Sequence, residues 1–193
     1  MSSPNLSPNN DYVEDLFEHQ RERLGPIHWK LLAVDLLYLG VPPFVLSRVR
    51  TQSLRLAGVR IGHASAFWGR PTLVGSGDIA GRLKIGDHCG LNEGCFFDLE
   101  DSVTIGNHVA VGHFAMFLTK THASGTGLQR AGKLRKAPVT IQDGAWLASR
   151  CTILPGVTIG AGCVVAAGVV VRETLPDNVL FTGVQKISIA KWR

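Results

Sequence analysis

His122 differs in setting from the other histidines of this 193-residue sequence, which carries seven. It opens a polar, Gly- and Lys/Arg-rich stretch, LTKTHASGTGLQRAGKLRKAP, whereas His88, His108 and His113 lie within regular apolar sequence. Imidazole has an unperturbed pKa of about 6.5, so a lone histidine on a loop is suited to taking a proton near neutrality. Three histidines on one scaffold are instead potential ligands for a metal such as zinc. The four cysteines, Cys89, Cys95, Cys151 and Cys163, contain no CxxC pair. They recur at one phase of the apolar pattern, where a free thiol behaves as a small hydrophobe, and they read as reduced core residues.

The scaffold behind these groups is a repeat of six residues. Ile61, Phe67, Leu73, Ile79, Ile85, Leu91 and Phe97 fall on one frame; after a shift of two come Ile105, Val111 and Phe117. The frame resumes at Ile141 and runs through Leu147, Ile153, Ile159, Val165 and Val171. Four residues after the bulky position stands something small, as at Ser65, Gly77, Cys89, Cys95, Ala115, Ala145, Cys151, Cys163 and Val169. A period of six is neither the 3.6 of a helix nor the 2 of a strand. It suits a triangular coil in which each hexad forms one flat side and one corner. The pattern predicts an all-β chain, a parallel β-helix of hexapeptide repeats. His122 stands where the chain leaves this coil, at the root of the long excursion.

The expected organisation is an N-terminal tail and helices over 1–60, the β-helix over 61–176 with its loop at 118–137, and a C-terminal tail over 177–193. Val13, Leu16, Phe17 and Leu24 share one helical face, with Asn10 or Asp11 as a cap. Leu31 to Leu46 is strongly apolar but is interrupted by Asp35 and broken by Pro42-Pro43, too short for a membrane span of about 20 residues. Its helices are expected to pack on the β-helix or a neighbouring subunit. The alternative is a peripheral membrane contact helped by Arg48, Arg50, Arg55 and Arg60. Arg48 to Val59 reads as a helix entering the first coil. Twenty Lys+Arg against fifteen Asp+Glu leave a formal charge of +5, which favours an anionic ligand. The secretory pattern is absent from the first 25 residues, so a cytoplasmic protein is expected.

The hexads, with Thr121-His122 at the start of a long loop, resemble the hexapeptide-repeat acetyltransferases, particularly the maltose and galactoside O-acetyltransferase branch. The likeness runs from Ile85-Gly86-Asp87 through Thr121-His122 and Trp146 to Pro155-Gly156-Val157-Thr158-Ile159-Gly160, and reaches about Gly183. It implies a left-handed parallel β-helix, a homotrimer with each active site between subunits, and acetyl-CoA as acyl donor with no metal. It also implies His122 as general base, taking the proton of a sugar hydroxyl as the oxygen attacks the thioester.

The resemblance places Asn92 and Glu100 at acceptor-contacting positions, with Asp98 as a rival to Glu100, because the family usually has Asp where Glu100 stands. Trp146 is implied to line the donor and acceptor cleft, and Ser149 and Ala167 to contact the pantetheine arm. Arg172 and Lys186 are candidates for the donor's phosphates, as are Arg130, Lys133, Arg135 and Lys136 in the loop. The family's closing Gly-x-Pro-Ala-Lys is replaced by Gly183-Val184-Gln185-Lys186. The expected acceptor is a small molecule, a carbohydrate and not a nucleic acid. Alternative readings are N-acetylation of an amino or nucleotide sugar, transfer of a longer acyl chain, a non-catalytic scaffold, and a carbonic-anhydrase-like metal site. For that last reading, His108 to His113 has the spacing of two ligands, but the upstream third would fall near Thr72.

Overall fold

A computed structural model of the chain describes residues 28–125 and 130–184, together with the backbone of 186–188. The helix expected from Asp11 onward lies outside the described residues. Three stacks of short strands, parallel except for an antiparallel last strand on the second, close into a triangular solenoid. The first face holds β1 (Arg60–Ile61), β4 (Leu83–Ile85), β7 (Val103–Ile105), β12 (Val139–Ile141) and β15 (Thr158–Ile159). The second holds β2 (Ala66–Phe67), β5 (Gly90–Leu91), β8 (Ala110–Val111), β13 (Trp146–Leu147), β16 (Val164–Val165), β18 (Val179–Phe181) and β19 (Lys186–Ser188). The third holds β3 (Thr72–Val74), β6 (Phe96–Asp98), β9 (Met116–Phe117), β14 (Thr152–Ile153) and β17 (Val170–Val171).

Parallel register puts each frame residue on its counterpart one coil away. Ile61, Ile85, Ile105, Ile141 and Ile159 pair down the first face. Leu73, Phe97, Phe117, Ile153 and Val171 pair down the third. Their side chains build one continuous core, in which Phe97 and Phe117 stack at 4.7 Å with rings 2° from parallel. The small-slot residues Cys89, Cys95, Ala115, Ala145, Cys151 and Cys163 are buried, and the four thiols are free. Burial pushes the Cys95 and Cys151 thiols up to about 12, so the interior holds them protonated.

Between the first and second faces the chain turns at a column of left-handed residues, among them Ala64, His88, His108, Gly144, Gly162 and Asn178. The second corner repeats this with Gly94, Phe114, Arg150 and Gly168. Asparagine and aspartate lace the first corner: Asp143 accepts from the Asn107 amide at 2.8 Å, Asn107 from that of Asp87 at 2.8 Å, and Asp87 from that of His63 at 2.7 Å.

Two sequence expectations need correction. Ile79 is buried but sits in a four-residue helix, α3 (Ile79–Arg82), and not in a strand. One full coil takes 18 residues, as from Ile141 to Ile159, whereas Ile61 to Ile85 takes 24. The excess equals one hexad, so a period-six frame runs through the insertion unbroken. Asp78 caps α3 by accepting from the Gly81 amide at 3.1 Å. The boundary drawn at 176 also moves outward, because β18 pairs in parallel with β16 and extends the second face to Phe181.

The N-terminal cap consists of α1 (Trp29–Leu37) and α2 (Ser47–Leu56). Thr51 of α2 accepts from the Phe67 amide at 2.9 Å and so docks the helix on the first coil. Among the described residues no helix is long and apolar enough to cross a membrane.

Candidate active site

The excursion after β9 folds as an antiparallel ribbon of β10 (Lys120–Ser124) and β11 (Ala131–Lys136). Lys120 faces Lys136, Thr121 faces Arg135, and His122 faces Leu134, with a register shift between His122 and Ser124. Side chains alternate along a strand, so Lys120, His122, Leu134 and Lys136 share one side of the ribbon, and Thr121 and Arg135 share the other. His122 is exposed, and its Nδ1 lies 2.7 Å from the Gly132 carbonyl oxygen. A carbonyl only accepts, so Nδ1 carries the proton and donates it. In the neutral ring the lone pair is then on Nε2, the arrangement a general base requires.

Lys120 and Lys136 stand opposite each other at the root of the ribbon, a like-charge pair that needs an anion. Glu100 supplies it. Lys136 Nζ donates to Glu100 Oε2 at 2.9 Å, and Lys120 Nζ lies 3.7 Å from Oε1. Ser76 Oγ donates to Oε2 at 2.9 Å, and the Glu100 side chain is 7% exposed. Burial alone would raise its pKa; the bonds from Lys136 and Ser76 and the charges of both lysines bring it below the ordinary carboxylate value.

Thr119 ties the same root to the coil. Its hydroxyl donates to the Asp98 carbonyl at 2.8 Å and accepts from the Asp101 amide at 2.9 Å, and its carbonyl accepts from the Ala137 amide at 2.9 Å. The Asp98 carboxylate is buried under this junction and accepts from the Glu100 amide at 3.3 Å. Burial pushes its pKa up, against the pull of Lys120.

The other site candidates lie elsewhere on the triangle. Trp146 projects from the second face, 48% exposed, between Ala110 and Val164. Asn92, Ser149 and Ala167 belong to the second corner, where Asn92 Nδ2 donates to the Val111 carbonyl at 3.0 Å and the Ser149 carbonyl accepts from the Gly168 amide at 2.9 Å. Arg172 follows β17 and lines a cleft of about 750 Å³ with Phe181, Thr182 and Gly183. The side chain of Lys186 lies outside the described residues. His122, Glu100 and Asp98 thus gather at the third corner, while Asn92, Trp146, Ser149 and Ala167 gather at and beside the second. The whole third face separates the two groups within one chain.

Lys136 was a candidate for donor phosphates, but the structure brings it to Glu100. The partnership of Glu100 with Lys120, Lys136 and Ser76 escaped sequence reasoning, as did the Gly132 carbonyl behind His122. The symmetric placement of two lysines about a hairpin was the one available signal. Among the described residues no group of three or more His, Cys, Asp or Glu side chains is placed to hold a metal. His88 and His108 stack on each other at the first corner, 4.9 Å apart, while His113 stands at the second.

Residues 138–173 match the family described as bacterial transferase hexapeptide (six repeats). The chain is 30% identical over 151 residues to WcaF of Escherichia coli, named as an acetyltransferase of colanic acid biosynthesis, covering 78% of this chain and 79% of that protein. The chain belongs to the hexapeptide-repeat transferase family. A galactoside O-acetyltransferase of E. coli is 34% identical to this family member over 101 residues, half of each chain. The chain spans about half or less of several curated relatives: 44% of an acetyltransferase of Schizosaccharomyces pombe, 41% of the Lactococcus lactis galactoside O-acetyltransferase and 50% of the E. coli one. Its fold matches a hexapeptide-repeat acetyltransferase of Vibrio cholerae with a TM-score of 0.64 at 26% identity, over 79% of this chain and 85% of that one. That Vibrio protein has also been crystallised with acetyl coenzyme A.

Proposed function

We propose that the protein is an acetyl-CoA-dependent O-acetyltransferase acting on a hydroxyl of a sugar or sugar-like acceptor, with His122 as general base. The observation that carries this reading is the 2.7 Å bond from His122 Nδ1 to the Gly132 carbonyl, which puts the proton of the neutral ring on Nδ1 and leaves the lone pair on Nε2. Nε2 takes the hydroxyl proton as the oxygen bonds to the acetyl carbonyl carbon. The thioester carbon–sulfur bond breaks, and the proton held on His122 passes to the departing thiolate. No acyl-enzyme is needed, because the thiolate is already a good leaving group. The named relatives support the reaction class, and the galactoside enzymes support a carbohydrate acceptor.

The assembly reading follows from the triangle. A base at the third corner and Trp146, Ser149 and Ala167 around the second cannot meet across the intervening face. Two subunits packed side by side bring one chain's third corner to its neighbour's second, and closed symmetry repeats the contact. A homotrimer with three intersubunit sites is the arrangement proposed. Axial order agrees with it: the ribbon leaves the solenoid between β9 and β12, level with the gap between Asn92 on the acceptor side and Ser149 and Ala167 on the donor side. Arg172, Arg130, Lys133 and Arg135 remain as cations for the donor's phosphates. With Glu100 and Asp98 engaged at the ribbon root, Asn92 is the acceptor contact we favour of the three. Incubating the protein with acetyl-CoA and a panel of saccharides, read by free thiol, tests the proposal. Release of coenzyme A that depends on a carbohydrate hydroxyl is expected, and its absence across neutral, amino and nucleotide sugars would sink it.

A further inference from the structure

The connector between α1 and α2 is held in an unfavourable backbone and presents an aromatic ring to solvent. Phe44 and Leu46 both have positive φ, 66° and 56°, in a left-handed region that bulky side chains seldom occupy. Such strain persists only where the surroundings over-determine it, and it concentrates at ligand sites. Here Arg50 does the determining. It is 1% exposed, lies 5.0 Å from the Tyr38 ring centroid, and donates to the Val45 carbonyl at 3.3 Å and the Trp68 carbonyl at 3.3 Å. One guanidinium therefore clamps the connector to the first coil. The Phe44 amide also donates to the Trp68 carbonyl.

The clamp delivers an exposed aromatic shelf. Phe44 is 58% exposed and Trp68 38%, with ring centroids 6.1 Å apart and planes 31° from parallel. Phe44 and His113 also meet in an edge-type contact, their ring centroids 6.4 Å apart. The Trp68 indole lies across Gly90, where a Cβ would sit 3.0 Å from it, so only glycine lets the indole lie this close to the second face. Adjacent exposed aromatic rings, unlike apolar residues scattered singly, mark a surface suited to binding. Polar groups rim it at the second corner: Asn92, whose side-chain oxygen is left as an acceptor, and Glu93, whose carboxylate is near enough to act on the charge of Arg50.

We infer that Phe44 and Trp68 form the acceptor subsite, stacking the apolar face of a pyranoside ring while Asn92, Glu93 and His113 bond its hydroxyls. The inference rests on the acetyltransferase reading above and deepens it. A sugar ring has C–H groups on its faces and hydroxyls at its rim, which matches a flat aromatic floor with polar edges. The axial position fits as well. Trp68 and Asn92 occupy successive coils at the second corner on the N-terminal side of the level at which the ribbon carrying His122 leaves, and His113 stands at that level on the next coil. Ser149 and Ala167 follow on the C-terminal side. The acceptor then lies on one side of the base and the donor on the other.

The test compares full-length wild type with Phe44→Ala, Trp68→Ala and the conservative Phe44→Trp. Acceptor KM should rise about tenfold or more in both alanine variants, as loss of a stacking partner worth somewhat over 1 kcal/mol requires. The acetyl-CoA KM and kcat at saturating acceptor should stay within about twofold, and Phe44→Trp should restore the acceptor KM. An unchanged acceptor KM, a rise confined to the donor KM, or a changed oligomer mass in Phe44→Ala (the mark of a second copy packing on the shelf) would each overturn the inference. Saturation-transfer NMR with the same saccharides separates the two claims. Carbohydrate binding that is lost in Phe44→Ala while wild type shows no turnover leaves the shelf standing and removes the acetyltransferase reading. No binding to wild type removes the shelf.

Discussion

The carboxylate of Glu100 meets the ammonium of Lys136 at 2.9 Å across 36 residues of sequence, and that contact closes the root of the ribbon carrying His122. A single residue on each strand, Thr121 and Arg135, separates the root lysines from the pair His122 and Leu134, which lies on the same side of the ribbon. The ion pair therefore sets where His122 stands on the ribbon. Glu100→Gln and Lys136→Met should each lower kcat about tenfold with acceptor and donor KM little changed. The double variant should be no worse than either single one, because removing one partner already breaks the unit. Additive losses, or a rise in acceptor KM alone, would return Glu100 to the acceptor site.

Acid should loosen the same root. The folded pKa of Glu100 lies below its ordinary value of 4.5. Its contribution is therefore fully present above that value and is lost as pH falls through the lower folded one. Hydrogen exchange of the Lys120–Ser124 amides should speed up in that acid range while the coil amides stay protected. Glu100→Gln should show the faster exchange already at neutral pH. Equal protection of the two regions at every pH would remove Glu100 from this role.

His122→Ala should lower kcat by about 10² or more, as expected on losing a general base, while coenzyme A affinity and Tm barely move. His88→Ala, His108→Ala and His113→Ala should retain most turnover, since none lies on the ribbon; His113 should raise the acceptor KM modestly. Near-normal turnover of His122→Ala, or activity abolished by EDTA, would refute the mechanism.

If each site joins one chain's third corner to a neighbour's second, inactive subunits can complement each other. His122→Ala and Trp146→Ala proteins, unfolded and refolded together, should recover a fraction of wild-type activity that neither regains alone. Light scattering should return three times the chain mass of 20.8 kDa. Recovery that never exceeds the sum of the separate variants would place the whole site within one chain.

Phe97 is fully buried and stacked on Phe117, so Phe97→Ala should cost about 3–5 kcal/mol of stability. Met116→Ala, on the outward side of the same face and 37% exposed, should cost far less in the isolated chain. Chemical denaturation of both variants reads the contrast. Equal costs would contradict the inside–outside assignment of the third face.

The repeat was legible because each hexad builds its own side and corner, so the rule for being inside or outside is written locally, residue by residue. Cys89, Cys95, Cys151 and Cys163 could be placed in the core on phase alone, and His122 at the root of an excursion. Ile79 was misread for the same reason: an insertion one hexad long leaves the phase intact, and only the pairing of Ile61 with Ile85 exposes it. The partners of Glu100 could not be read, because ribbon pairing carries Lys136 back across 36 residues, and no local period records such a contact. Which corner each site residue occupies was likewise a tertiary decision. Phase says that Asn92, His122 and Ser149 stand outside the core; only closure of the triangle puts a face between His122 and the other two, and that separation is the physical reason for proposing a second subunit.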